Sequence, residues 1–442
     1  MLAMAMKYWI ETFGCQMNAL DSEKIAGDFH RHGMIAAACI SEADIVALNT
    51  CSVRDKAVQK AYARLGEMRR LKASRPDMVV CVVGCMAQLE GEKILRRAPY
   101  VNIVAGPQKG HVIGSLIEKA LDSGKPIMEL RRDDEPSPLA NKNILRDTAW
   151  RASVTISEGC SRRCAFCVVP ETRGPERHRE VTGILDEIRE LADKGCLEIL
   201  LLGQTVNSWV DPTDASIRFP ELLQRVAAIP GLRRIRFTAP HPNGFTDALL
   251  EVMASHETIC NHIHLPVQSG STRVLRAMNR GYTREDYLEI AQKIKNASRQ
   301  IAISTDIIVG YPGETESDFQ DTMSLIDAVK YDSVFSFKYS PRPRTAACEL
   351  PDDVPEEEKC RRLALLQERQ RDIQYEINAA YVGRLLETLV EANARSRVRL
   401  VGRTGANKIV NFDGPDELIG SFAHVEVTGF GPNSLKGRLI TP

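Results

Sequence analysis

Residues 153–167 read Ser153-Val-Thr-Ile-Ser157-Glu-Gly-Cys160-Ser-Arg-Arg-Cys164-Ala-Phe-Cys167. A short alternating stretch, the pattern of a strand, runs directly into three cysteines spaced CxxxCxxC. Three thiolates can hold three irons of a 4Fe–4S cluster, which ordinarily takes four cysteines. The fourth iron then stays open, and an open iron at low potential can bind and reductively cleave S-adenosylmethionine. A structural zinc site is the competing reading, but closed zinc sites take four ligands. Here the fourth would have to be recruited from outside the stretch, with His178 a candidate.

Outward from this loop, a strand–helix rhythm continues for about six units between residues 150 and 345. Strands are expected at 153–157, 198–202, 234–238, 262–267, 302–309 and 333–339. Helical patterns fall at 181–191, 220–228, 247–255, 284–297 and 316–329. Six such units fit a partial TIM-type barrel, (β/α)6, whose active residues lie at the C-terminal ends of its strands. The cysteine loop follows the first strand, as that rule requires. At the other strand ends stand Gln204, Asn207, His241, Gln268, Ser269, Asp306 and Lys338. As a set they are candidates for gripping the methionine, ribose and adenine of S-adenosylmethionine. Taken singly, each is as well explained by a turn or cap, and Gly310-Tyr-Pro-Gly is ordinary turn chemistry.

Residues 7–120 state one pattern three times: an apolar run (8–13, 44–48, 78–83), a cysteine, then a helical pattern. The cysteines are Cys15, Cys51 and Cys85. Strand–helix alternation implies a parallel, flavodoxin-like α/β domain with ligands beyond the carboxyl ends of its strands. The three thiols should converge on that edge, near helix N-termini that favour thiolate. A second cluster site follows, against the alternative of three unrelated core cysteines. Between the two blocks, 121–148 is polar and proline-bearing and reads as a linker. The expected divisions are therefore 1–120, 121–148, 149–378 and 379–442. A long helix should run from about 353 to 380, capped by Asp353 or Val354 with Pro355 in its first turn. Beyond it, 385–390, 398–402, 409–412 and 424–428 alternate as the short strands of a small OB-like β-barrel.

Lys+Arg and Asp+Glu each number 58, so net charge is zero and global charge does not advertise nucleic acid. Local patches would have to do so. Arg162, Arg163, Arg173, Arg177 and Arg179 surround the cysteine loop, although a solvated charged loop would look the same. Arg395, Arg397, Arg399, Arg403, Lys408, Lys436 and Arg438, with Phe412 and Phe430 as stacking faces, offer a second surface in the last block. The twelve cysteines follow no small-secreted-domain pattern, which favours metal binding over disulfides. With no leader pattern at the start and no apolar run of membrane-span length, the expected compartment is the cytoplasm, with no membrane partner.

The order of three-cysteine domain, CxxxCxxC barrel and C-terminal β-barrel resembles the radical S-adenosylmethionine methylthiotransferase family, whose last domain is called TRAM. Gly14-Cys-Gln-Met-Asn18, Asn49-Thr-Cys-Ser-Val-Arg-Asp-Lys-Ala57, Gly84-Cys-Met-Ala-Gln88 and Leu265-Pro-Val-Gln-Ser-Gly270 are similar to the branch of MiaB-type tRNA methylthiotransferases. So is Asp306-Ile-Ile-Val-Gly-Tyr-Pro-Gly-Glu-Thr315. The resemblance spans essentially the whole chain. It implies insertion of a methylthio group at C2 of an N6-isopentenyladenosine beside the anticodon of tRNA. It further implies two 4Fe–4S clusters, one on Cys160, Cys164 and Cys167 that cleaves S-adenosylmethionine and one on Cys15, Cys51 and Cys85 that carries sulfur. An electron donor such as flavodoxin or ferredoxin and a monomeric state are expected. Relatives acting on threonylcarbamoyl-adenosine or on a ribosomal protein share the architecture, and a metal-stabilised RNA-binding factor without turnover is the reading from another class. Glu171, Thr205, Trp209, Ala239 and Arg344 depart from the branch's pattern, which bears on base recognition rather than reaction class.

Overall fold

A computed structural model describes residues 5–53, 55–133, 143–393 and 400–440. Contacts divide the chain into two units. One comprises Met1–Asp147, Glu158–Arg163 and Cys167–Arg177, the other Thr148–Ser157, Cys164–Phe166 and His178–Pro442.

The first unit is built on six parallel strands: β1 (Lys7–Thr12), β2 (Ile35–Ala36), β3 (Ile45–Thr50), β4 (Val79–Gly84), β5 (Ile103–Ala105) and β6 (Ile127–Glu129). Their order is β2-β1-β3-β4-β5-β6, the flavodoxin-like order with one strand added. Every residue of β3 and β4 is buried, because helices cover both faces of the sheet. Ile45 and Ala47 pack with Ile25, Phe29 and Ile117 on one face, while Val46 and Leu48 pack with Leu65, Met68 and Ile94 on the other. Two-sided burial is why Val79-Val-Cys-Val-Val83 reads as an unbroken apolar run. The stretch expected to be linker is partly structured. The helix Ile113–Ser123 enters it and Ile127–Glu129 supplies the sixth strand, while residues 134–142 lie outside the described residues.

The second unit opens with β7 (Arg151–Thr155), β8 (Glu198–Leu202), β9 (Arg234–Phe237), β10 (His262–His264), β11 (Ala302–Val309) and β12 (Ser333–Lys338). They form two parallel three-stranded sheets, β9-β8-β7 and β10-β11-β12. The sheets join where Cys260 N–H donates to Ile235 O (2.9 Å) and Ile235 N–H to Thr258 O (2.8 Å). The result is the six-stranded partial barrel. Its helix-facing side chains, among them Val154, Ile199, Leu201, Ile235, Ile303, Ile307 and Val309, make the largest apolar core. Four helices begin at hydroxyl caps, with the Thr283 and Thr315 caps closed into capping boxes by Asp286 and Asp318.

The long helix runs Glu356–Ala379, and Pro355 itself occupies the cap. The expected cap Asp353 instead accepts from the Gly313 N–H at 2.7 Å. Three glutamates, 356 to 358, fill the first turn and complement the helix dipole without a side-chain cap. After it, β13 (Leu385–Asn393), β14 (Leu400–Thr404), β15 (Ile409–Asp413), β16 (Phe422–Phe430) and β17 (Leu435–Leu439) close into a barrel ordered β13-β14-β15-β17-β16. The fifth strand went unread in the sequence because Gly437 interrupts its alternation. Among the described residues no helix is long and apolar enough to cross a membrane.

Candidate functional site

Three adjacent parallel strands of the first unit, β1, β3 and β4, each deliver a cysteine at the carboxyl end. Cys15 stands just before the helix Gln16–Arg31, Cys51 directly follows β3, and Cys85 is the first residue of the helix Cys85–Arg97. Glycine precedes the first and third for a steric reason. A Cβ on Gly14 would lie 2.7 Å from Cys51 Cβ, and one on Gly84 2.5 Å from Thr50 O, and both hold positive φ (+124° and +99°). Asn18 ties the loops together, its Nδ2 donating to Phe13 O (2.9 Å) and Thr50 O (3.1 Å). Asn49 Nδ2 returns a bond to Asn18 O at 2.7 Å.

Arg173 completes this site, and the sequence reading had left it among loop arginines. It is 6% exposed and pairs with Asp21 (2.6 Å) and Asn18 Oδ1 (3.2 Å). Asn18 Oδ1 also accepts from the Cys15 thiol at 3.8 Å, so the cation stands beside the thiols. Burial pushes the Cys85 thiol up to about 11; Arg173 draws it down, and Cys51, Cys15 and Asp21 raise it. Burial therefore outweighs the helix N-terminus that was expected to favour thiolate. A bound metal would displace that proton outright. Arg177 and Arg179 are likewise engaged, with Glu158 at 3.3 Å and Glu187 at 2.7 Å respectively.

Of the CxxxCxxC cysteines, Cys160 and Cys167 fall in the first unit and Cys164 in the second. Cys160 N–H donates to Gly174 O (3.0 Å). Cys164 Sγ accepts from Arg280 Nη1 at 3.2 Å. His178 Nδ1 meets the backbone of Val210. Among the described residues no three His, Cys, Asp or Glu side chains gather as a single ion would require. Thiolates that bind different irons of a cluster do not need that convergence, and the all-cysteine donor sets fit iron–sulfur ligation.

In the barrel, Asn207 grips the backbone of His241 from both sides, Nδ2 to O at 2.9 Å and N to Oδ1 at 2.8 Å. Gln268 holds φ +75° and bonds β11 through Asp306 O and the Ile308 N–H. Ser269 is fully buried and its Oγ accepts from the Ser271 N–H. Gln204 follows β8 with a buried Oε1 that has no hydrogen-bond partner among the described residues. Asp306 points to the inner face, 3.4 Å from His264 Nε2. That histidine shares Ser304 Oγ with His262, at 3.0 and 2.9 Å. Lys338 does not join this set. Its register partner is Val309, whose side chain faces the helices, and Lys338 meets Glu356 and Cys360 there.

The departures from the family pattern are also placed. Trp209 is fully buried, donating its indole N–H to Arg179 O (3.0 Å). Arg344 holds φ +65°, the left-handed region that glycine favours. In the last barrel, Phe412 is 1% exposed inside the core, which removes it as a stacking face; alternation along β15 sends Val410 and Phe412 inward together. Phe430 meets the Tyr375 ring at a tilt of 57°, centroids 4.7 Å apart. Arg403, Lys408 and Arg438 pair with Glu391, Asp332 and Glu426. Arg395, Arg397 and Arg399 lie outside the described residues.

Comparison with known proteins agrees with this layout. Residues 7–106 match the uncharacterized protein family UPF0004, 154–326 the radical SAM superfamily and 379–440 the TRAM domain. Proteins of Solibacter usitatus and Aquifex aeolicus, both named tRNA-2-methylthio-N(6)-dimethylallyladenosine synthase, are similar over nearly full length. The first is 47% identical, covering 98% of this chain and 97% of the relative; the second is 42% identical, covering 99% of each. Among solved structures, the radical S-adenosylmethionine methyltransferase TsrM of Kitasatospora setae superposes with TM-score 0.55 at 15% identity. The match covers 78% of this chain and 75% of that one, a likeness of fold.

Proposed function

The chain belongs to the tRNA-2-methylthio-N(6)-dimethylallyladenosine synthase family of radical S-adenosylmethionine methylthiotransferases, and from that premise we propose that it inserts a methylthio group at C2 of N6-isopentenyladenosine beside the anticodon of tRNA. Cys160, Cys164 and Cys167 would hold one 4Fe–4S cluster, and Cys15, Cys51 and Cys85 a second. When bound, the first supplies the one-electron chemistry that an unactivated aromatic C–H demands and the second a coordination position for sulfur. The observation that carries the second site is the delivery of three thiols to the ends of three adjacent strands, beside the buried Arg173. Arg173 offsets the negative charge that three thiolates bring to that edge, and Asn18 and Asn49 fix the loops that carry them.

Gln204, Asn207, His241, Gln268, Ser269 and Asp306 support binding of S-adenosylmethionine at the barrel mouth, with Asn207 acting by fixing the His241 backbone. The target base, stacked in an anticodon loop, has to turn outward to enter such a site. We further propose that it works in the cytoplasm, as a monomer reduced by a flavodoxin- or ferredoxin-type donor.

Iron content after anaerobic reconstitution tests the two-site assignment. Wild type should hold about eight irons and a Cys15/Cys51/Cys85 triple-alanine variant about four; about four in both would remove the second site. Cys160→Ala should abolish cleavage of S-adenosylmethionine, and Cys51→Ala should spare cleavage while abolishing methylthiolation of tRNA. Methylthiolated tRNA made by Cys51→Ala protein would show the division of labour to be wrong.

A further inference from the structure

Arg280 is a buried cation whose partners among the described residues include no carboxylate. It is 6% exposed, yet its bonds go from Nε to the Tyr282 hydroxyl (3.0 Å), from Nη2 to Pro266 O (3.1 Å) and from Nη1 to Cys164 Sγ (3.2 Å). A buried guanidinium without a counter-charge is costly. The cost falls if the sulfur it faces is anionic, which protonated Cys164 is not and a metal-bound thiolate is. The arginine is also held in place. Tyr282 donates onward to Val267 O (2.8 Å), and a left-handed turn at Asn279 and Gly281 sets the backbone on either side. A second, independent bond fastens the cysteine loop to the same turn, from the Ala165 N–H to Met278 O at 2.9 Å. Arg280 thus spans Cys164 and the Pro266 carbonyl.

We propose that Arg280 is a positioning residue of the radical-generating site, whose N–H bond to the Cys164 sulfur fixes that ligand and raises the reduction potential of the cluster it helps hold. The inference rests on the reading of Cys160, Cys164 and Cys167 as a 4Fe–4S site. Reduction by dithionite adds one electron there; no bond breaks, and the guanidinium keeps all its protons. The added negative charge is stabilised by the fixed cation and its hydrogen bond, the two levers by which protein groups tune such potentials.

The test uses full-length protein with Cys15, Cys51 and Cys85 replaced by alanine, so that one cluster reports. Its midpoint is measured by dithionite titration followed by electron paramagnetic resonance, beside Arg280→Lys and Arg280→Met in the same background. Arg280→Met should titrate at a more negative potential and cleave S-adenosylmethionine about tenfold more slowly at fixed reductant. Arg280→Lys, which keeps the charge but loses the planar fork, should fall between. Equal midpoints at equal iron content would overturn the proposal. Should the variants lose iron, the parent labelled with guanidino-15N arginine decides: reduced cluster must show hyperfine coupling to that nitrogen, and its absence overturns the assignment. A parent with no reducible cluster overturns the underlying reading, and the proposal with it.

Discussion

Gly84 shows how little room the cysteine site leaves at the scale of one residue. Its φ of +99° and the 2.5 Å approach of a virtual Cβ to Thr50 O make alanine doubly unwelcome. Such strain costs about 1–3 kcal/mol, and it falls on the backbone that aims Cys85. Gly84→Ala should therefore lower the thermal midpoint and reduce iron content toward that of the triple-alanine protein. Full iron with an unchanged midpoint would show that this loop yields freely. His262 makes a pH-dependent case. Burial, then Arg236, His264, Arg403 and Lys408, hold its imidazolium well below the ordinary range. In the unfolded chain it titrates near the usual histidine value of about 6.5. Below that pH the unfolded chain takes up a proton that the folded chain refuses, so stability is lost as pH falls through the unfolded value, by at most about 1.4 kcal/mol per pH unit. Unfolding free energy followed from pH 7 to 5 should decline less steeply in His262→Asn than in wild type; equal slopes would refute the claim. The strand-end placement of Cys15, Cys51 and Cys85 was legible from the repeated pattern of apolar run, cysteine and helix. The partners of Arg173 and Arg280 were not, since an arginine reads the same in sequence whether it is solvated or buried against Asp21 or a cysteine sulfur.

Elements were legible where period and punctuation agreed. The strands 198–202 and 302–309 and the helices 247–255 and 316–329 lie where patterning put them, the helices opened by Thr246 and Thr315. The helix Thr272–Ala277 escaped because six residues complete fewer than two turns of apolar period. Lys338 shows the limit of counting strand ends, because position along a strand does not say which face a side chain takes. Register supplies that missing fact, pairing Lys338 with Val309 and Asp306 with Phe335. The helix Glu356–Ala379 holds the Gly310–Glu314 turn from outside. Arg362 and Glu314, 6% and 2% exposed, meet at 2.7 Å, and Glu314 also accepts from the Gly310 N–H at 2.8 Å. Burial already raises the Glu314 carboxyl. Arg362→Met would strand it without its cation, a loss of about 3–5 kcal/mol in urea unfolding of the apoprotein. Adding Glu314→Gln should recover part of it, whereas a loss below 1 kcal/mol in the single variant would show that water reaches the site.

At the scale of the whole second unit, two arginines of β9 fasten one barrel to the other. Arg234 donates to Arg403 O (2.6 Å) and Glu387 O (2.8 Å), and Arg236 to Thr404 O (2.7 Å) and Gly405 O (3.2 Å). Lys408 crosses the other way to Asp332 at 2.9 Å, and Asn378 pins the end of the long helix to Gly431 O and Pro432 O. The arginine and Asn378 contacts are not readable from the chain, because a carbonyl acceptor has no sequence signature. Charge-assisted bonds of this kind contribute about 1.5–3 kcal/mol each, and an arginine left buried without its acceptors costs more than the bond was worth. The C-terminal barrel should therefore act as a stability element of the (β/α)6 barrel. Removing residues 380–442 should lower the urea midpoint of the remaining barrel, read from tryptophan fluorescence in a Trp9→Phe/Trp150→Phe background that leaves only the buried Trp209, and Arg234→Met with Arg236→Met in the full-length version of that background should move it the same way. In the full-length protein carrying Trp209 as its one tryptophan, emission should report a single transition of the second unit. A truncated chain that unfolds at the wild-type midpoint would mean that the two barrels stand independently and that the guanidinium bonds between them carry no net stability.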